Sequence, residues 1–341
     1  MGEGGAENKD PWIDIVKWAA CMLVLSGHFF QSMTKSGIMG ENAIYRWFIH
    51  TIYLFHVPLF FVCSGYLYQK NSVVTTLEEW KESALRKLVT LGVPYFTFST
   101  LTLLMKKMFH SSVNEEISGG FWQTLLLDPP SPYWYLYVLF FLFLFLPTFK
   151  SGKQAGATLA FSVLIYFFHQ NPQVKGIYFL GGVAHRAVWF AAGMCLCLCR
   201  REIKFDGKCL GLSFLLFPLS IIGYNKEMQW LPYMLYSLTG GICGSLLILE
   251  LSFWLSGRVS EKFILFSRKN TLPVFLMHTI FAAGIRTVLL KMGITGMGIH
   301  AAAGISGSIF LPVAAAEVMR RSGWLYFFVH PNVGRKDRRA G

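Results

Sequence analysis

Apolar and polar residues alternate in blocks along this chain. Ten apolar stretches can be read, at residues 13–31, 49–67, 88–105, 133–149, 156–169, 178–198, 209–224, 233–255, 271–290 and 298–319. A helix needs about 20 apolar residues to cross a hydrocarbon core roughly 30 Å thick. Most of the stretches approach that length, and the fifth and seventh are shorter. The pattern predicts an all-α protein, a polytopic transmembrane helical bundle of about ten spans. No fixed-period repeat and no low-complexity linker divides the chain. One integral membrane domain is therefore expected over residues 1–341, with a short polar N-terminus (1–11) and a basic cytoplasmic tail (324–341). Composition agrees: 54% of residues are hydrophobic and 14% charged, against about 25% charged in an ordinary soluble domain.

The distribution of basic residues sets the expected topology. With the N-terminus inside, most of the 31 lysines and arginines fall in inner segments, among them Lys70, Lys81, Arg86 and Lys87 after the second stretch. Arg200, Arg201, Lys204 and Lys208 follow the sixth, and Arg320, Arg321 and the tail follow the tenth. That bias predicts cytoplasmic termini and a multi-pass protein of the cell (cytoplasmic) membrane. It also accounts for the formal net charge of +13 through topology and attraction to anionic membrane lipids, so no nucleic-acid partner is expected. No basic n-region precedes an apolar run at the N-terminus, and the first helix is expected to serve as the insertion signal. The seven cysteines lie in predicted spans or inner loops, which argues against a disulfide framework. Cys195, Cys197 and Cys199 fit no zinc spacing, and no metal is expected.

Polar residues inside the spans carry the candidate chemistry, because ionisable groups in lipid are costly and normally face a bundle interior or a wet cavity. At about 100° per residue, Asp14, Lys17, Cys21, Leu25 and His28 share roughly 80° of arc on the first helix. His28 then lies about 16 Å beyond Lys17. The stripe is expected to line a channel, with Asp14 and Lys17 at its cytoplasmic mouth. The plainer reading of those two is an interfacial i,i+3 pair. His56 and Pro58 fall in the outer half of the second span, and Ser64 and Gly65 in its inner half, where small residues let helices approach closely.

Arg86 and Lys87 stand where the third apolar stretch begins, and cations beside a helix N-terminus suit a phosphate. Tyr133, Trp134, Tyr135 and Tyr137 follow a proline-rich turn. They read as an interfacial belt or, more sharply, as a platform for stacking a sugar. Arg186, His278 and Arg286 extend the polar interior. Lys17, Arg86 and Lys87, with Asp14, would receive a phosphate-rich cofactor such as coenzyme A, whose thin arm could carry a thioester toward His28. A histidine there could act as general base on an alcohol or as a transient acyl acceptor. Trp134, Tyr133, His56, Arg186 and His278 are the candidate substrate-binding residues. A transporter or exporter of a small polar or lipid-linked molecule is the competing function, and a scaffold subunit of an envelope-assembly complex a third.

The pattern Asp14-x-x-Lys17-x₁₀-His28 resembles the opening motif of the acyltransferase 3 family of integral membrane acyltransferases. The resemblance continues, in order, through FHVPLFFVCSGYL (55–67), RKLVTLGVPYF (86–96), PYWYLYVLF (132–140) and SRKNTLPVFLMHTIF (267–281). It implies a membrane acyltransferase that moves acyl groups, most often acetyl, from cytoplasmic acyl-CoA (acetyl-CoA) to sugars of surface polysaccharide, lipopolysaccharide or peptidoglycan. It further implies that His28 is the catalytic residue and that Lys17, Arg86 and Lys87 serve the acyl-CoA. Two departures stand out. Many members have arginine where this chain has Lys17, a point charge without the planar fork. Some members also carry a C-terminal esterase-like domain, for which the segment after Trp324 is too short. The acceptor, a sugar or polysaccharide, is then expected to be met by the bundle itself or by an envelope-assembly partner.

Overall fold

A computed structural model describes residues 10–72, 74, 76–109, 120–168, 178–200, 207–222 and 228–331. Among these residues the chain is all-helical, with no strand. The helices are α1 (Pro11–Lys35), α2 (Ala43–Asn71), α3 (Leu77–Met108), α4 (Phe121–Leu126), α5 (Trp134–Phe145) and α6 (Gly152–Phe168). They continue with α7 (Tyr178–Cys199), α8 (Gly207–Ile221), α9 (Trp230–Ser256), α10 (Glu261–Lys291), α11 (Met297–Arg321) and α12 (Gly323–Phe327). Each of the ten apolar stretches overlaps a helix among the described residues. Among the described residues, seven helices are long and apolar enough to cross a membrane: α1, α2, α3, α7, α9, α10 and α11. The 12 residues of α5 rise only about 18 Å, and α6 and α8 are also short, at 17 and 15 residues.

Local chemistry explains several boundaries. Pro11 occupies the first turn of α1, where its missing N–H costs nothing. Thr76 and Glu79 form a reciprocal capping box at the start of α3, satisfying two otherwise orphaned backbone donors. As a result α3 begins at Leu77, and Arg86 and Lys87 lie about 14–15 Å inside it. This corrects the reading that placed them at a helix N-terminus: backbone N–H groups there are spent within the helix, and only the side-chain charges remain for a ligand. At the other extreme, Leu146 is extended because it precedes Pro147, and α5 ends at Phe145 instead of running on through the apolar stretch.

Packing centres on α1 and α2. α1 touches α2, α9, α10 and α11, and α2 lies against α7 and α9. At the α2–α7 crossing, a Cβ on Gly65 would sit 2.0 Å from the Phe190 carbonyl oxygen, and one on Gly193 2.0 Å from the Val62 carbonyl oxygen. The backbones touch there, and only glycine permits it. α9 presses on the same helix: a Cβ on Gly244 would meet the Phe55 ring at 2.6 Å. Pro58 interrupts α2 and frees the Leu54 carbonyl. Gly241 of α9 lies against that carbonyl, with its Cβ position 3.1 Å from the oxygen. These contacts fix α2, and with it His56, against α7 and α9, and α2 packs on α1 as well.

Candidate active site

A cavity of about 200 Å³ opens where α1, α2, α5 and α10 meet. Its wall from α1 is Val24, His28 and Gln31, an i, i+4, i+7 series. From α2 come Tyr53, His56, Val57 and Phe60, again one helical face. Trp134 and Tyr135 begin α5 behind Ser131 and Pro132, and Phe275 of α10 closes the remaining side. The sequence pointed to His28, His56 and Trp134. It missed Gln31 and Tyr53, although each stands three residues from a candidate histidine and therefore on the same face.

The histidines are held differently. His56 Nδ1 lies 2.5 Å from the Ile52 carbonyl oxygen, so that nitrogen carries the proton and Nε2 is left as an acceptor. The Tyr53 ring meets His56 edge to face at 4.6 Å between centroids, and its hydroxyl donates to Gln31 Oε1 at 3.0 Å. Gly27 makes room for that ring, since a Cβ there would lie 3.0 Å from Tyr53 Cε2. His28 makes no hydrogen bond to any described residue. Its ring centroid is 5.5 Å from that of His278, with the planes tilted by 44°. His278 is buried and stands behind His28, outside the cavity wall.

Arg186 reaches the site indirectly, its guanidinium carbon 4.8 Å from the centroid of the Trp134 ring. Tyr133 is fully buried and is absent from the wall. Its hydroxyl donates to the Leu276 carbonyl at 3.0 Å and lies 3.0 Å from Thr102 Oγ1, which makes it a strut joining α5, α10 and α3. The adjacent Tyr135 takes the lining position, with its hydroxyl 2.8 Å from Ser64 Oγ. Arg286 is buried and donates to Ser32 of α1.

The opposite end of α1 is saturated with charge. Buried Asp14 holds Lys17 Nζ at 3.2 Å on one carboxylate oxygen and Arg268 at 2.7 Å on the other. Asp10 accepts from Tyr66 at 2.6 Å and Lys70 at 2.7 Å. Asp14 thus brings two cations together, of which sequence reasoning named only Lys17. Arg268, at the head of the SRKN block, went unused. Lys87 rests on the Phe143 ring, 4.1 Å from its centroid, and no described contact joins Lys17 to Arg86 or Lys87. Between the two ends, the expected channel stripe is packed. Cys21 and Leu25 are fully buried, and Cys21 Sγ points at the Thr271 carbonyl at 3.7 Å. The stripe is therefore a seam against α10 and not the wall of an open channel, because its middle residues are apolar enough to pack.

The acyltransferase 3 family model, described as an acyltransferase domain, matches residues 10–317. The chain belongs to the acyltransferase 3 family. The match takes in α1 through most of α11, and with them every residue of the cavity wall. Together with the seven apolar helices, membership in this family makes it an integral, multi-pass membrane protein of an acyltransferase family. No curated protein and no solved structure matches the chain. Among the described residues, no group of three His, Cys, Asp or Glu side chains is disposed to hold a metal.

Proposed function

We propose that this acyltransferase moves an acyl group, acetyl before larger ones, from cytoplasmic acyl-CoA to a hydroxyl of an extracytoplasmic or lipid-linked glycan in the cell envelope, with His28 as general base. The observation that carries the reading is the presence of His28 in a cavity that also holds an aromatic wall and several hydrogen-bonding groups. At about 200 Å³ the cavity is smaller than the roughly 300–1,000 Å³ of most ligand sites. It suits the reacting ends of two larger substrates, a thioester and one sugar hydroxyl with its ring.

In this scheme the bare nitrogen of His28 takes the proton of the acceptor hydroxyl as the oxygen attacks the thioester carbonyl carbon. The tetrahedral adduct collapses, the C–S bond breaks, and the thiolate recovers the proton from His28. The products are an ester and free coenzyme A, and the imidazole returns to its neutral form. Trp134 offers a flat face to a sugar ring, backed by the Arg186 guanidinium, while Gln31 and His56 offer an amide and a ring nitrogen to its hydroxyls. At the other end of α1, Lys17 and Arg268, gathered by Asp14, are suited to the phosphates of coenzyme A, with Arg86 and Lys87 of α3 as further cations, and the thioester arm then reaches the cavity by a face other than the packed Cys21–Leu25 seam.

The test uses the full-length protein in detergent or nanodiscs. Millimolar coenzyme A is expected to raise its Tm, as linkage requires of a real cofactor site, and His28→Ala is expected to lower surface acetyl-ester formation by about 10²–10⁴-fold while that Tm shift persists. Undiminished acetyl-ester formation in His28→Ala would refute the mechanism. Absence of any Tm shift at millimolar coenzyme A would favour transport over transfer.

A further inference from the structure

His278 carries a feature that substrate binding does not explain. Its Nδ1 lies 2.8 Å from the Phe275 carbonyl oxygen and 3.1 Å from that of Val274. Both are acceptors from the preceding turn of α10, so Nδ1 must carry the proton. Nε2 is then an acceptor, yet it is buried and has no hydrogen-bond partner among the described residues. The residue is 1% exposed, so water at the surface does not satisfy it. A buried acceptor left bare is costly, and each one in a folded protein calls for a reason. The neighbouring polar ring is that of His28, itself without a hydrogen bond among the described residues. Centroids 5.5 Å apart leave about 3 Å between one nitrogen of each ring when both point along the line joining the rings, and because the Phe275 and Val274 carbonyls hold His278, the His28 ring is the one that turns.

We infer that His278 is a positioning residue for His28: its Nε2 accepts the one N–H of the neutral His28 ring, fixing the tautomer whose other nitrogen faces the cavity without a proton. The inference rests on the acyl-transfer reading above and adds to it the orienting group that the base requires. The partner is neutral and is itself locked by backbone carbonyls, so orientation comes with no second charge buried in the bundle. When His28 accepts the hydroxyl proton, the same contact holds the imidazolium in place until the thiolate reclaims that proton.

The experiment compares His278→Phe, which keeps a ring but removes the acceptor, with His278→Gln, whose amide oxygen can reach the position of Nε2. Both are made in the full chain and measured for acetyl transfer and for Tm with and without coenzyme A. His278→Phe is expected to lose about 100-fold in kcat with KM for acetyl-CoA changed by less than about threefold, and His278→Gln to recover at least tenfold of that loss. In a His28→Ala background, His278→Phe is expected to cost nothing further, because it acts through His28. If His278→Phe does not accumulate, His278→Met replaces it as the variant without an acceptor. Equal activity of the Gln variant and the acceptor-free variant would overturn the inference while leaving His28 as base. A His28→Ala protein as active as the wild type would remove both.

Discussion

The two ends of α1 treat polar side chains in opposite ways. At the N-terminal end, Asp14 holds Lys17 and Arg268, and Asp10 holds Tyr66 and Lys70. Nearby on α10 and α11, Glu317 holds Lys269 and Arg320. Each of the three carboxylates holds two donors, and the groups tie helix to helix. At the cavity, about 26 Å along α1 from Pro11, His28 and His278 Nε2 have no hydrogen-bond partner among the described residues, and His56 has one nitrogen committed to Ile52. Satisfied polar groups rigidify a bundle, whereas a buried group left unsatisfied in a native structure calls for a functional explanation. The contrast assigns structure and ligand anchoring to the first end and proton transfer to the second.

The widest separation between the ends is expected from deleting one group at each. His28→Ala should lower acetyl transfer by about 10²–10⁴-fold, the usual contribution of a general base, with little change in Tm. Asp14→Asn should do the reverse. It strips charge-assisted partners from Lys17 and Arg268 and should cost about 1–3 kcal/mol of stability, read as a fall in Tm, while kcat at saturating donor stays within about threefold. Loss of transfer without loss of Tm in Asp14→Asn would erase the distinction. Arg186→Gln tests the outer wall more finely. Removing the cation behind Trp134 should cost about 0.5–1 kcal/mol, seen as a roughly two- to fivefold rise in KM for the acceptor with kcat unchanged. Glu317→Gln should be the smallest change. Its partner Lys269 is half exposed, exposed ion pairs contribute little, and neither Tm nor activity should move measurably.

The sequence made these two ends visible to different degrees. Every apolar stretch overlaps a helix among the described residues, because a run of apolar residues in lipid can satisfy its backbone only internally. Span number was less legible. The run at 133–149 reads as continuous, yet Pro147 forces Leu146 out of helix and leaves α5 with 12 residues. The start of α3 was written in Thr76 and Glu79 but lay outside the apolar stretch, so Arg86 and Lys87 were assigned a helix terminus they do not have. In the cavity, His28, His56 and Trp134 stood out because histidine and tryptophan are conspicuous in an apolar span. Gln31 and Tyr53 did not, since a polar residue near a helix end reads as interface. The roles of Tyr133 and Tyr135 were separated only by three-dimensional packing, where adjacent residues point to different neighbours. The Asp14–Arg268 contact joins positions 254 residues apart, and no local pattern reports such a pair.

The central claim is that a thioester and an acceptor hydroxyl meet at His28. An experimental map of the full chain with bound coenzyme A tests it most directly. The account predicts the thiol sulfur inside the cavity between His28 and Trp134, with the phosphates toward Lys17 and Arg268. A thiol seated on the other side of the packed Cys21–Leu25 seam, or a nucleotide bound away from both cations, would contradict it.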